Sequence, residues 1–381
     1  MALFDVDGWD LKSTKVAIGG VEQKKSKKKD KSQKKRSAEG SDSRPEDKKR
    51  KPETKKTTED DEEAVAPAKE VPAPLPMSTQ KLTPLQQKMM AKLSGSRFRW
   101  INEQLYTTTS QNALNLVKKQ PSLFDEYHQG FRSQVQLWPE NPVDVFVDQV
   151  KTRSARPVNA PGGLPGLQNK KVVIADMGCG EAQLALDVNK FTKQINGKKA
   201  KGKDRKMGRK LDVEVHSFDL KKANDRITVA DIKNVPMEDE SCTIVIFCLA
   251  LMGTNFLDFI EEAYRVLAPN GELWIAEIKS RFTESTNSKG KPTKPEEVGS
   301  EFVESLKLLG FFHKKTDNEN KMFTRFEFFK PSREIMNQRK EKLERRKKFI
   351  EQETQKEELE NKRKTRPEGQ WLLKPCIYKR R

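Results

Sequence analysis

The fold is decided by residues 171–181, Lys171-Val172-Val173-Ile174-Ala175-Asp176-Met177-Gly178-Cys179-Gly180-Glu181. Lys171–Met177 is a short, apolar, β-branched run of the kind that forms a parallel strand buried on both faces. It ends in an acidic residue and a Gly-x-Gly turn, and helix-forming residues follow at Glu181–Asn189. Glycines at 178 and 180 let the backbone turn sharply and approach a ligand closely. A dinucleotide site wants a third Gly or Ala at 183, so that helix and strand pack tightly over a pyrophosphate. Position 183 is Gln. S-adenosylmethionine has no phosphate to place on a helix N-terminus, so it dispenses with that glycine, and Asp176 can accept from its ammonium group.

Outward from this turn, strand and helix signals alternate. Val213–Asp219, Ile227–Ile232 and Thr243–Leu249 read as further strands, and Asn255–Leu267 as an amphipathic helix closed by Pro269-Asn270-Gly271. Gly271–Ile278 is a fifth strand, Val298–Leu309 another helix, and Phe311–Lys315 with Met322–Lys330 an antiparallel hairpin. This order predicts an α/β, Rossmann-like class I methyltransferase domain over residues 165–330. Its sheet is seven-stranded and mostly parallel, with the hairpin at the C-terminal end and ligands at the carboxyl ends of the strands.

Two more acidic strand ends accompany the glycine turn. Asp219, in Ser217-Phe218-Asp219-Leu220, can accept both ribose hydroxyls, a device that nicotinamide sites share. Asp231, in Ala230-Asp231-Ile232, can receive an adenine amino group, while Ile232 offers the ring an apolar face. Together they favour S-adenosylmethionine over a nicotinamide or flavin, and over a purely structural role in which both aspartates cap helices or turns. After the fourth strand stands Phe247-Cys248-Leu249-Ala250-Leu251-Met252-Gly253-Thr254-Asn255, without the D/N-P-P-Y/F tetrapeptide of many amino-group methyltransferases. Cys248 reads either as a nucleophile for carbon-5 pyrimidine methylation or, with no Pro-Cys dipeptide and no base beside it, as a wall of the cofactor pocket. His128 lies ahead of the fold, where a lone histidine is most simply a surface or cap residue.

The flanks are different in kind. The 381 residues carry a net charge of +19, and only 34% are hydrophobic, which allows one sizeable core with long solvated arms. Such a basic balance points to a polyanionic partner, nucleic acid or an acidic membrane surface. Residues 1–78 read as a disordered basic arm. In it, Lys34-Lys35-Arg36 and Lys48-Lys49-Arg50-Lys51 resemble a bipartite nuclear localisation signal, which implies an import receptor, and a basic tail that grips RNA is compatible with it. Residues 79–164 form a helical lead-in and cofactor cap, with Leu85, Met89 and Leu93 and then Phe98, Ile101 and Leu105 at helical spacing. Lys193–Lys210 holds nine Lys/Arg and one Asp and reads as a loop suited to phosphate contacts, or as a tolerated surface insertion. Residues 331–381 read as a charged basic tail, with Arg339–Lys364 a solvated single helix that has little core of its own.

No run of 18 apolar residues is present, so no transmembrane helix is expected, and Met1–Ser13 lacks a secretory pattern. Four cysteines without a CxxC pair and three histidines leave no zinc site, disulfide framework or other metal centre to expect, in keeping with a reducing intracellular compartment.

The strings YHQGFRSQV, WPENPVD, DMGCGEAQLA, SFDL, CLALMGTN, EAYRVLAPNGELWIAEIKSRF and LLKPCIYKRR resemble the ribosomal RNA-processing protein 8 family of nucleolar methyltransferases. The likeness covers roughly Phe124 to Lys330 and the end of the tail, and the basic insertion and arm suggest a fungal member. It implies methylation of N1 of one adenosine in large-subunit ribosomal RNA within pre-ribosomal particles in the nucleolus; a monomer is expected. It also implies cofactor contacts at His128, Gly178, Asp219, Asp231, Ile232 and Cys248. Met177 replaces the family's commoner Phe, and Ile232 the Met of animal members. Adenine N1 has a free lone pair at neutral pH, so catalysis needs orientation and exclusion of water rather than a base. N1 lies on the Watson–Crick edge, so the target is unpaired or flipped out. Glu277 is a candidate for stabilising the cationic product, and Phe247 or Trp274 for stacking on the base. The alternative function is a non-catalytic assembly factor that binds S-adenosylmethionine and pre-ribosomal RNA; a small-molecule methyltransferase would leave the basic arms without purpose.

Overall fold

The computed structural model describes residues 83–201, 210–282, 299–376 and 378. All of them lie within one compact unit, Glu70–Arg381. The proposed localisation signal, with all of residues 1–82, and residues 202–209 of the basic insertion fall outside the described residues.

The strands are β1 (Val172–Met177), β2 (Val213–Asp219), β3 (Ile227–Val229), β4 (Cys242–Cys248), β5 (Leu267–Ile278), β6 (Phe312–Asp317) and β7 (Phe323–Phe329). They form one sheet in the order β3-β2-β1-β4-β5-β7-β6, parallel except for β7, which runs antiparallel to β5 and β6. The expected seven-stranded sheet with a C-terminal hairpin is the one observed. Every residue of β1 is buried, as its apolar run requires, and the burial takes in Asp176 as well. Asp176 pairs in register with Ser217 of β2 and Ile246 of β4, so the three strands end level. Strand order reverses between β1 and β4, and that switch point opens a crevice above the carboxyl ends.

The helices of the N-terminal half are α1 (Pro84–Thr107), α2 (Ser110–Lys119), α3 (Pro121–Val135), α4 (Pro142–Arg153) and α5 (Gln183–Lys201). α6 (Phe256–Val266), α7 (Ser300–Leu308), α8 (Arg333–Arg345), α9 (Phe349–Thr365) and α10 (Glu368–Trp371) follow. Side chains alternate along β1: Val173, Ala175 and Met177 join the apolar layer under α6 and α7, while Val172 and Ile174 join the layer under α4 and α5. Trp274 belongs to the second layer, stacked on Phe146 with ring centroids 5.9 Å apart.

α1 opens with a capping box in which Thr83 and Gln86 satisfy each other's backbone N–H groups, and Pro84 fills the first helical position. Its second half packs Phe98, Ile101 and Leu105 against Leu123, Phe124 and Tyr127 of α3. The expected earlier stripe is helical but unburied: Leu85, Met89 and Leu93 are exposed.

Two expectations about the basic segments are corrected. Lys193–Lys210 does not begin as a loop, because α5 continues to Lys201. Lys and Gln are good helix formers, and one glycine, Gly197, costs only about 1 kcal/mol. Arg339–Lys364 is not one solvated helix. The chain turns at Arg346–Lys348, with Lys347 at φ 56°, and α9 then returns to the domain. Leu359, Leu372, Leu373 and Cys376 are buried there. Arg363 pairs with Asp258, Glu261 and Glu368, and Glu368 accepts from the backbone N–H of Leu257 at 2.6 Å. Asn255, at the N-cap of α6, makes no side-chain cap bond, so Glu368 supplies the missing acceptor.

Candidate active site

One cavity sits at the switch point, and His128, Asp176, Gly178, Asp219, Asp231, Ile232 and Cys248 all line it. Its floor is the turn after β1. Gly178 has φ 73° and Gly180 φ 60°, in the left-handed region that favours glycine. A Cβ at Gly178 would stand 2.6 Å from the Cβ of Ala250, so the close approach of β1 and β4 demands glycine there. The N–H groups of Gly178 and Cys179 both donate to the carbonyl of Phe218, at 2.9 and 3.0 Å, which ties the turn to β2. Gly180 N–H donates to Asp219 Oδ2 at 2.6 Å and Leu220 N–H to Oδ1 at 2.7 Å. Each carboxylate oxygen has two lone-pair directions, so Asp219 keeps acceptor capacity towards the cavity.

Two carboxylates are buried together here, and their electrostatics define what fits. Burial pushes Asp219 up to about 7, against the backbone N–H groups of Leu220 and Gly180 that favour its charged form. Burial, with the neighbouring charge of Asp219, pushes Asp176 to about 7 as well. Asp176 has no hydrogen-bond or ion-pair partner among the described residues, although it is 4% exposed. A buried carboxylate left unpaired in a cavity favours a ligand that brings positive charge or donors. Asp231 follows β3 and accepts from Lys233 N–H at 3.0 Å, beside the buried side chain of Ile232.

The roof is α3. Its residue His128 is buried against the edge of Phe124, with ring centroids 4.5 Å apart. Burial lowers its pKa to about 4, so the imidazole is neutral at physiological pH and can donate one hydrogen bond. Ion pairs hold α3 over the turn: Arg132 with Glu181 on one side, and Lys221 with Asp125 on the other. Lys221 also donates to the carbonyl of Pro121 at 3.0 Å.

Cys248, the last residue of β4, faces the cavity, and burial pushes its thiol well above the ordinary range. That environment makes a poor nucleophile and a good wall. Three guesses about the acceptor side are corrected. Phe247 and Trp274 are wholly buried, each in an opposite layer of the core, and neither lines the cavity. Glu277 is also wholly buried, paired with Arg281 at 2.8 Å and accepting from Leu251 N–H, so it faces the protein and not the site. Phe131, Trp138, Asn141 and Leu249 line the cavity instead, and the sequence reading passed over them. The one available signal was Trp138-Pro139-Glu140-Asn141-Pro142, where an Asn-Pro helix start fixes a large aromatic residue a few positions upstream.

No cluster of metal-binding side chains occurs among the described residues, and no helix there is long and apolar enough to cross a membrane. The buried, unpaired Asp176 and the acceptors at Asp219 and Asp231 fit S-adenosylmethionine, with its ammonium, ribose hydroxyls and adenine amino group.

Known proteins resemble this chain over most of its described length. A family model described as "Hypothetical methyltransferase" matches residues 84–348. A "25S rRNA (adenine(645)-N(1))-methyltransferase" of Saccharomyces cerevisiae is 69% identical over 318 residues, which are 83% of this chain and 76% of that protein. A protein of the same name from Schizosaccharomyces pombe is 46% identical over 66% of this chain and 67% of its own length. A "Ribosomal RNA-processing protein 8" of Dictyostelium discoideum is 38% identical over 79% of this chain and 61% of its own.

Proposed function

This chain belongs to the ribosomal RNA-processing protein 8 family of methyltransferases, and from that premise we propose that it methylates N1 of an adenosine in large-subunit ribosomal RNA. The observation that carries the reading is the single cavity at the switch point, which gathers His128, Gly178, Asp219, Asp231, Ile232 and Cys248 from five separate stretches of chain.

S-adenosylmethionine, when bound, supplies an electrophilic methyl sulfonium. The protein's own residues do the rest. Asp176 receives the ammonium group, Asp219 the ribose hydroxyls and Asp231 the adenine amino group, each a charge-assisted hydrogen bond. Gly178 admits the ligand close to the backbone, and Ile232 and Cys248 wall it. His128, neutral and held by the roof, donates to a ligand oxygen. Adenine N1 needs no general base at neutral pH, so the site's contribution is alignment and a dry interior.

Residues 1–78 serve as a basic arm that carries the nuclear localisation signal to its import receptor, and the enzyme works as a monomer in the nucleolus. Residues 79–164 act as the cap and 165–330 as the catalytic domain. The basic residues of the insertion contact RNA phosphates, which give affinity and salt dependence rather than choice of target.

The test is a Gly178→Arg variant in cells that lack the native protein. N1-methyladenosine blocks base pairing, so reverse transcription stops at it. The wild-type chain restores one stop in large-subunit RNA, and Gly178→Arg loses it while still binding RNA. Methylation that persists in Gly178→Arg overturns the site assignment.

A further inference from the structure

We propose that Trp138 and Phe131 form the binding site for the acceptor base, with Asn141 orienting it; this rests on the adenosine-N1 reading above. The carboxylates lining the cavity, Asp176, Asp219 and Asp231, stand at or just after the ends of β1, β2 and β3. The opposite side, above the ends of β4 and β5, is apolar. There Leu249, Ile278 and Phe323 form a buried cluster against which Phe131, Trp138 and Cys248 pack. The Phe131 and Trp138 rings meet edge to face, 5.6 Å between centroids, and Trp138 meets Phe323 in the same way at 5.0 Å. A ligand whose ribose and adenine lie over β2 and β3 directs its other end to this apolar side.

Two details set this wall apart from ordinary core. Leu249 has φ 58°, a left-handed conformation that costs a non-glycine residue about 1 kcal/mol or more. Such strain tends to collect at functional sites. It falls at the end of β4, where the chain leaves the sheet beside the cavity. Trp138 and Phe131 are only half-buried, and the indole N–H of Trp138 has no hydrogen-bond partner among the described residues.

The chemistry of N1 transfer suits such walls. N1 supplies the electron pair of the new N–C bond, the C–S bond breaks with its pair left on sulfur, and the positive charge passes to the base without any proton moving. Apolar walls leave the N1 lone pair unprotonated and free of competing donors. The faces of Trp138 and Phe131 then stabilise the charge as it arrives, by cation–π attraction that strengthens in a desolvated site. This replaces the carboxylate that Glu277 cannot provide. Asn141 adds orientation: its side-chain oxygen accepts from Val143 N–H at 3.2 Å, while its NH2 group has no partner among the described residues. Those N–H donors suit N7 or N3 of adenine and leave N1 to react.

The experiment compares the full-length wild type with Trp138→Leu, Trp138→Phe, Phe131→Leu and Asn141→Ser. An unmethylated large-subunit RNA transcript is the acceptor, N1-methyladenosine is counted by mass spectrometry, and S-adenosylhomocysteine titration reports the cofactor half. Trp138→Leu and Phe131→Leu each lower kcat by about tenfold or more, with S-adenosylhomocysteine affinity held within about twofold. Trp138→Phe restores most of kcat. Asn141→Ser, which keeps the helix cap, lowers kcat/KM about fivefold to tenfold. Wild-type kcat in both Leu variants overturns the proposal, as does a loss that follows S-adenosylhomocysteine affinity. A wild-type chain that makes no N1-methyladenosine overturns the adenosine-N1 reading itself, whatever the variants do.

Discussion

Gly180 and Asp219 are joined across the sheet: the glycine's backbone N–H donates to the carboxylate at 2.6 Å, so the last residue of β2 holds the turn that follows β1. The same carboxylate lines the cavity. One side chain therefore shapes the turn and offers acceptors to a ligand, and the two roles separate by substitution. Asp219→Asn keeps an oxygen for Gly180 N–H but gives up the charge and the second acceptor, that for Leu220 N–H. Asp219→Ala also leaves the Gly180 N–H unsatisfied, at a cost of about 1–3 kcal/mol. S-adenosylhomocysteine affinity should fall about tenfold in the first variant and about a hundredfold in the second, by calorimetry. Equal, unchanged affinities would remove Asp219 from the site.

The pair Asp176 and Asp219 makes ligand binding and stability depend on pH in opposite directions. Both are held near 7 by burial, against an ordinary carboxylate value of about 4. Between those values the native, ligand-free protein keeps protons that the unfolded chain has already released. The pair's contribution therefore favours the fold at low pH and is lost as pH rises from about 4 to about 7. A ligand bearing an ammonium group and hydroxyl donors prefers the ionised pair, so its affinity rises over pH 6–8 and protons are released on binding. His128, lowered to about 4, takes no part in that window. Calorimetry in buffers of different ionisation heat measures the proton count. Zero release near pH 7 would contradict the shared burial of these carboxylates.

Cys248 stands where a nucleophile would serve carbon-5 chemistry, yet its buried thiol is held far from ionisation. Cys248→Ala removes the sulfur and leaves the wall nearly intact. Methylation by this variant should stay within about threefold of wild type, because no covalent bond to the protein is needed. Loss of all activity with cofactor binding retained would restore the nucleophile reading.

The carboxylates that line the cavity were legible because their signals are local: Asp176 and Asp219 stand at strand ends and Asp231 just after one, and β-branched runs mark the strands themselves. Asp176 and Asp219 could be placed without knowing what surrounds them. The acceptor half is assembled from distant segments. Trp138 meets Phe323 across 185 positions of chain (323 − 138), and nothing in either local pattern announces the other. Phe247 and Trp274, the stacking candidates, are turned by alternation along β4 and β5 into opposite layers of the core. The C-terminal helices were hidden for a related reason. Their composition is that of a solvated segment, and only the partners Asp258 and Glu261 on α6 turn Arg363 into a packed residue.

That clasp carries the last prediction. Glu368 is 3% exposed, accepts from Leu257 N–H at the start of α6, and pairs with Arg363 at 2.8 Å. Glu368→Ala leaves the buried N–H without an acceptor and Arg363 without one of its three carboxylates. A helix cap and an unsatisfied buried donor are each worth about 1–2 kcal/mol, so Tm should fall by about 4–8 °C for a domain of this size. Glu368→Gln, which still accepts from Leu257, should lose less than half of that. α6 begins just after Gly253 and Thr254, and Thr254 N–H donates to the carbonyl of Thr108 between α1 and α2. Loosening the start of α6 therefore loosens the cap as well. Hydrogen exchange should quicken at Leu257 and at Thr254 together in Glu368→Ala, and quickening at Leu257 alone would show that the C-terminal clasp and the cap are independent.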